Sequence, residues 1–306
     1  MASTPHHPQG WEMIGLTVPQ ISLAGLLFLA AGYALVGSIR LIPGKVALAQ
    51  DLFQALLSMT IVAGSLLAIF LLGTWALVPA LLLLAGRAGF EAAHVRLGPN
   101  KAAAGGAVGL ALSLATMLWP VLALVFAGGW CLLLARFVMV PAPRDSKLWK
   151  WVELLLFPVI PAAILSWAAL DPDLRPAILI TYILIETFDS YALVAGKMFG
   201  KTKAFPVLSP RKTIEGLFGG AVCLVLTALV AALVLGLPVA ASVAAACVIG
   251  AFAIGGDLAA SRLKRAAGVK DYPVVLPKQG GILDILDSWI AAGAALGMAL
   301  FLLGGG

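Results

Sequence analysis

Runs of about 20 apolar residues recur along almost the whole of this 306-residue chain. An α-helix rises 1.5 Å per residue, so about 20 residues cross the roughly 30 Å hydrocarbon core of a bilayer. No water reaches that core, and backbone polar groups must be satisfied within the segment or within a closed barrel. Barrel strands read as short alternating segments, whereas these runs are solid apolar blocks. With 62% hydrophobic and 11% charged residues, a soluble domain is excluded. The expected fold is an all-α polytopic integral membrane protein of about nine to ten transmembrane helices.

The pattern predicts helices at 14–38, 52–72, 74–94, 105–118, 120–136, 150–170, 175–196, 214–236, 238–256 and 282–304. The count depends on breaks at Gly73-Thr74 and Trp119-Pro120, and a piece as short as 105–118 barely spans, which leaves nine as the other count. The N-terminal residues MASTPHHPQGWEM carry neither a basic region nor a cleavage site, so residues 1–13 read as a retained polar tail rather than a signal peptide. Cys131, Cys223 and Cys247 lie within apolar runs and read as packing residues. His6, His7 and His94 have no metal-site spacing.

Charge sets an orientation. If the N-terminus is outside, 19 of the 20 Lys and Arg residues fall on inner segments, and only Arg175 falls outside. Short cytoplasmic loops collect basic residues in this way. The net charge of +6 is therefore explained by topology rather than by nucleic acid. Both termini are then outside, and segments 197–213 and 257–281 share the cytoplasmic face. Residues 14–170 read as a transmembrane bundle for scaffold and lipid contact. Residues 171–306 hold nearly every polar group that scaffold does not explain.

Those groups fall in pairs. Glu186 and Asp189 are three residues apart within one predicted span, so they share a helix face. A carboxylate at that depth is costly unless it is paired, hydrated or ligating. Asp284 and Asp287 repeat the spacing at the start of the last helix. Helix capping accounts for Asp284 but not for Asp287, one turn further in. Asp257, at the expected end of the preceding helix, meets the unfavourable end of the dipole and reads as a third ligand. Asp257, Asp284 and Asp287 are thus a candidate divalent-metal set of hard oxygen donors. Around them lie Lys264, Arg265, Lys270 and Lys278, with Lys197, Lys201, Lys203, Arg211 and Lys212 in the other loop. Ser209 and Thr213 add hydroxyls, and Gly280-Gly281 before a helix would let backbone N–H groups approach an anion. Carboxylates, a metal and lysines are the equipment of phosphoryl or nucleotidyl transfer. No covalent triad, Walker motif or dinucleotide fingerprint is present.

The segment SRLKRAAGVKDYPVVLPKQGGILDILD, residues 261–287, resembles the signature of the phosphatidate cytidylyltransferases, or CDP-diacylglycerol synthases. That signature runs Ser-x-x-Lys-Arg-x4-Lys-Asp, then Leu-Pro-x-His-Gly-Gly, then Asp-Arg-x-Asp. The blocks DSYALVAGKMFGKTK (189–203) and SPRKTIEGLFGG (209–220) are similar to the same family. The resemblance implies an enzyme that joins CTP and phosphatidic acid into CDP-diacylglycerol and pyrophosphate, by in-line attack of the lipid phosphate on the α-phosphorus. It implies Mg²⁺, with a monovalent cation such as K⁺, a homodimer among membrane lipids, and a bacterial-type inner membrane with the site facing the cytoplasm.

By position, the resemblance makes Asp257, Ser261, Lys264, Asp284 and Asp287 the catalytic and metal centre. Asp189, Lys197, Lys201, Ser209, Lys212, Thr213, Arg265, Lys270, Asp271, Lys278, Gln279, Gly280 and Gly281 would bind substrate and phosphate. Two departures matter: Gln279 stands where the family has His, and Ile285 stands where it has Arg. Gln hydrogen-bonds but carries no proton at neutral pH. Ile removes a permanent cation, for which Lys278 offers only a point charge. Rival readings are transfer to another lipid phosphate or alcohol, an ion-coupled transporter using the same aspartates, and a non-catalytic lipid-binding paralogue.

Overall fold

The computed structural model describes residues 16–140, 146–275 and 279–304. The expected tail 1–13 and Lys278 lie outside the described residues. The chain runs α1 (Val18–Arg40), α2 (Val46–Leu72), α3 (Thr74–Leu97), α4 (Pro99–Leu118), α5 (Val121–Met139) and α6 (Lys147–Leu154). A π-helical turn, Leu155–Val159, joins α6 to α7 (Ile160–Leu170). Then come α8 (Arg175–Phe199), strands β1 (Lys203–Phe205) and β2 (Ser209–Thr213), α9 (Ile214–Leu235), α10 (Val239–Ala266) and α11 (Ile282–Gly304). Among the described residues nine helices are long and apolar enough to cross a membrane, α6 and α7 counting as one; α2 adds the shorter apolar stretch Met59–Leu72. This is the all-α polytopic fold expected from the apolar runs.

Both uncertain breaks are real. Gly73 at φ 74° separates α2 from α3, and α4 stops at Leu118 before Pro120. The helix expected at 105–118 begins earlier, with Pro99 in its first turn, where a missing N–H costs nothing. Two differences bear on function. The segment 197–213, expected as loop, contains an antiparallel hairpin that pairs Lys203 with Thr213 and Phe205 with Ser209. And α10 does not end near Asp257 but runs on to Ala266. The stretch 258-LAASRLKRA has no Gly or Pro, and the helix stops only at Gly268, φ 73°. There Gly268 N–H donates to Arg265 and Val269 N–H to Lys264, closing the last turn in a Schellman arrangement.

The centre of the bundle is α7, whose Ala162, Ala163, Ile164, Leu165, Ala168 and Ala169 are wholly buried. It packs against α3, α4, α8 and α11. Apolar helices in lipid gain little from burying grease, so they associate where small residues let backbones meet. A Cβ on Gly105 of α4 would stand 2.5 Å from the Gly89 carbonyl of α3. A Cβ on Gly256 of α10 would stand 2.5 Å from the Asp287 carbonyl of α11. That second approach sets Asp257 against Asp287.

Candidate active site

Asp257, Ser261 and Lys264 are spaced four and three residues apart on α10, so the longer helix places them on one face. Ser261 Oγ donates to Asp257 Oδ1 at 3.4 Å. Lys264 Nζ crosses to Asp284 Oδ1 on α11 at 2.6 Å and also lies 5.1 Å from the Tyr272 ring centroid. Ser288 Oγ on α11 donates to the Ala253 carbonyl on α10, and Trp289 Nε1 donates to the Ile178 carbonyl on α8. These ties fix α8, α10 and α11 around a polar pocket of about 250 Å³.

The pocket is lined by Tyr182, Ile185, Glu186 and Asp189 of α8, Lys212 of β2, Asp257 of α10, and Asp284, Ile285, Asp287, Ser288 and Trp289 of α11. Lys212 forms an ion pair with Asp257. Burial would pull its ammonium pKa down, but the charges of Asp257 and Asp189 outweigh this and raise it above the ordinary lysine value. The hairpin is what delivers Lys212. Thr213 Oγ1 accepts from Gly216 N–H and caps α9, while Glu215 accepts the backbone N–H groups of Lys201 and Thr202. The strand preceding α9 is thereby held beside α8 and α9, and its Lys212 reaches α10 through Asp257.

Asp284 is otherwise engaged. Its Oδ1 takes Lys264, and its Oδ2 accepts the backbone N–H groups of Tyr272 and Gly281, both at 3.0 Å. It is a knot that ties the 267–281 loop to α11. Gly280, at φ 94°, packs so close that a Cβ there would lie 2.5 Å from Asp284 Oδ2. Tyr272 is buried beneath the knot and donates to the Ala260 carbonyl. Burial, together with the charges of Asp287, Asp284 and Glu91, pushes its phenol pKa well up. Asp287 is 6% exposed, and its Oδ1 accepts from Ser288 N–H at 2.6 Å.

Of the residues expected from sequence, Asp189, Lys212, Asp257, Asp284 and Asp287 come together at one pocket. Ser261 and Lys264 stand behind its wall. Thr213 is spent as a cap, and Arg265 donates to the Val269 carbonyl at the end of α10. Lys197, Lys201, Lys270 and Asp271 are exposed and Ser209 is half-buried in the hairpin; none of the five lines the pocket. Gln279 sits in the loop outside the wall, whereas Ile285 is in it. Among the described residues no group of three or more His, Cys, Asp or Glu is drawn together as a ready metal cage. Lys212 lies among the carboxylates, and Asp284 has spent both oxygens. Asp189, Asp257 and Asp287 nonetheless present hard oxygens to one small polar space, which suits a divalent cation shared with phosphate oxygens.

Two residues in the half read as scaffold bear directly on this site. Glu91 of α3 is fully buried and accepts from Ile282 N–H at 3.0 Å, Leu283 N–H at 2.9 Å and Arg87 Nε at 2.8 Å. It caps the first turn of α11, one residue before Asp284. Arg87 also donates to the Pro273 carbonyl in the loop. The signal that marked Glu186 and Asp189 was available here too: Arg87 and Glu91 are ionisable residues, four apart, inside a predicted span.

A model of the cytidylyltransferase family matches residues 53–303. Proteins named phosphatidate cytidylyltransferase are similar over a shorter stretch. Those of Staphylococcus epidermidis and Staphylococcus aureus are 40% and 39% identical over 115 residues, and that of Staphylococcus saprophyticus is 36% identical over the same length. The match covers 37% of this chain and 44% of each relative, so the chain spans less than half the length of the curated relatives it matches.

Proposed function

This chain belongs to the cytidylyltransferase family, and on that premise we propose that it transfers CMP from CTP to phosphatidic acid, giving CDP-diacylglycerol and pyrophosphate. The observation that carries the reading is the gathering of Asp189, Lys212, Asp257 and Asp287, from four separate elements, around one polar pocket between apolar helices. Like charges at such depth repel and are costly to bury. Their assembly makes sense if a polyanion and a cation complete the site.

Asp257 and Asp287, with Asp189 beside them, would hold Mg²⁺. When bound, the ion would neutralise phosphate charge and orient the triphosphate. The chain's own residues supply the rest. Lys212 stays protonated and offers its ammonium to the phosphates, exchanging its contact with Asp257 for one with substrate. Asp284 and Lys264 keep the loop and α11 in register, so that Asp287 points into the pocket. Trp289 and Ile285 close the apolar side and limit water. The positive-inside pattern supports a site facing the cytoplasm of a bacterial-type inner membrane, where CTP is available. K⁺ and a homodimer belong to the same reading through the signature resemblance.

The test is transfer of label from CTP to phosphatidic acid by purified protein in mixed micelles. Mg²⁺-dependent product that disappears in Asp287→Asn is the expected result. Absence of product from a folded protein that still binds CTP would reject phosphatidic acid as the acceptor. Absence of both product and CTP binding would reject the enzyme reading.

A further inference from the structure

A second chamber, of about 410 Å³, lies on the other side of α8. It is walled by α1, α2 and α8, with Gly25, Gly32, Ala63 and Leu67 among its lining residues. Along α8 the lining runs Tyr182, Ile183, Glu186, Thr187, Ser190, Tyr191 and Val194, a single stripe. From Tyr182 to Val194 the helix rises about 18 Å. That is close to the depth of one leaflet, half of a roughly 30 Å core. At the end nearest the 197–213 segment Tyr191 and Val194 are 44% and 52% exposed, and the chamber opens there. At the other end Gly25 faces Ile183 and Leu67, where a Cβ would already be in contact at 3.4 Å.

Tyr182 and Glu186 line both chambers, so the apolar space and the polar pocket share a wall. Tyr182 is 3% exposed, and its hydroxyl lies near Glu186 without a well-formed hydrogen bond. A buried hydroxyl left unpaired in an apolar setting is costly. It stands at the closed end of the chamber, beside Ile183 and Gly25.

We propose that this chamber holds an acyl chain of the lipid acceptor, which enters at the open Tyr191–Val194 end and runs to the closed end, and that Gly25 sets the chain length accommodated. The proposal rests on the function proposed above, because it needs a lipid phosphate in the polar pocket. The occupant follows from the chamber's shape and position: an apolar slot about one leaflet deep, open at one end and sharing the Tyr182–Glu186 wall with a polyanion site. Gly25 has only hydrogen where a side chain would shorten the slot, and Ala63 narrows it least among its α2 neighbours.

The experiment compares dipalmitoyl and didecanoyl phosphatidic acids in the same mixed micelles, with wild type, Gly25→Leu and Ala63→Phe. Gly25→Leu should raise KM for the dipalmitoyl lipid about tenfold, the effect of displacing about two buried methylene groups. KM for the didecanoyl lipid and for CTP should stay within about twofold of wild type. Because either bulky variant could misfold, wild type is also labelled with phosphatidic acid carrying a terminal diazirine. Adducts on Leu67, Ile183 or Met59 are expected. An unchanged chain-length profile in folded Gly25→Leu and Ala63→Phe overturns the assignment, as do adducts confined to other helices. A wild type that uses neither lipid but binds CTP overturns the acceptor reading itself, and the chamber's role with it; a wild type active on both lipids separates the two failures.

Discussion

Removing the Glu91 carboxyl should damage the site from a helix that contributes nothing to its wall. The carboxyl accepts two N–H groups from the first turn of α11 and one from Arg87. The first N–H groups of a helix have no partner inside it, and this terminus is buried. Leaving one buried donor unsatisfied costs about 1–3 kcal/mol, so Glu91→Ala should cost roughly 2–6 kcal/mol locally. Arg87 adds little, since its side chain is 34% exposed and keeps the Pro273 carbonyl. Glu91→Gln keeps one acceptor oxygen and should lose about half as much. The affected turn carries Asp284, whose Oδ2 organises Tyr272 and Gly281. The assay is CMP transfer by detergent-solubilised protein, with kcat and KM for CTP measured beside a melting curve. Glu91→Gln should melt as a folded protein, with kcat lowered roughly 10- to 100-fold and KM for CTP changed less. Glu91→Ala should be worse in both respects. A Glu91→Ala protein with wild-type kcat and wild-type melting would refute the reasoning. So would a lower melting temperature with full activity per folded molecule, since that would make Glu91 scaffold only.

The buried pair Arg96–Glu153, 2.5 Å apart and 5% and 1% exposed, ties α3 to α6 away from the polar pocket. Glu153→Ala should destabilise by about 3–5 kcal/mol, read by denaturant titration, with KM for CTP unchanged in the folded fraction. Gly256→Val should force α10 from α11, since a Cβ there meets the Asp287 carbonyl and Ala291; activity should be lost even where protein is recovered in the membrane, as measured by CMP transfer. Ile285→Arg puts a cation into the pocket wall, and one charge-assisted hydrogen bond to a phosphate, about 1.5–3 kcal/mol, should lower KM for CTP by roughly 10-fold or more.

Much of this molecule follows from composition and period. The apolar runs, the two helix breaks and the hydrogen-bonding demands of a bilayer interior dictate the helices, because no other use of such segments satisfies the backbone. Spacing of three residues on a helix puts Glu186 beside Asp189 and Asp284 beside Asp287 whatever the tertiary arrangement. The signature at 261–287 points to the family for the same reason: it is local.

What the chain alone leaves open is which of several charged groups face one another. Five basic residues occupy 197–213, and only the hairpin register and the Thr213 cap select Lys212 for the pocket. The three aspartates of the expected metal set look alike in sequence. Once α10 runs to Ala266 and Gly256 meets α11, all three line one pocket, but Asp284 is consumed by a lysine and two backbone donors, whereas Asp257 meets Lys212. Glu91 lies 191 residues before the helix it caps, and no local pattern encodes that pairing. Helix-forming tendency is a property of neighbours along the chain; the partner of a buried charge is decided only when packing removes water and leaves it one place to turn.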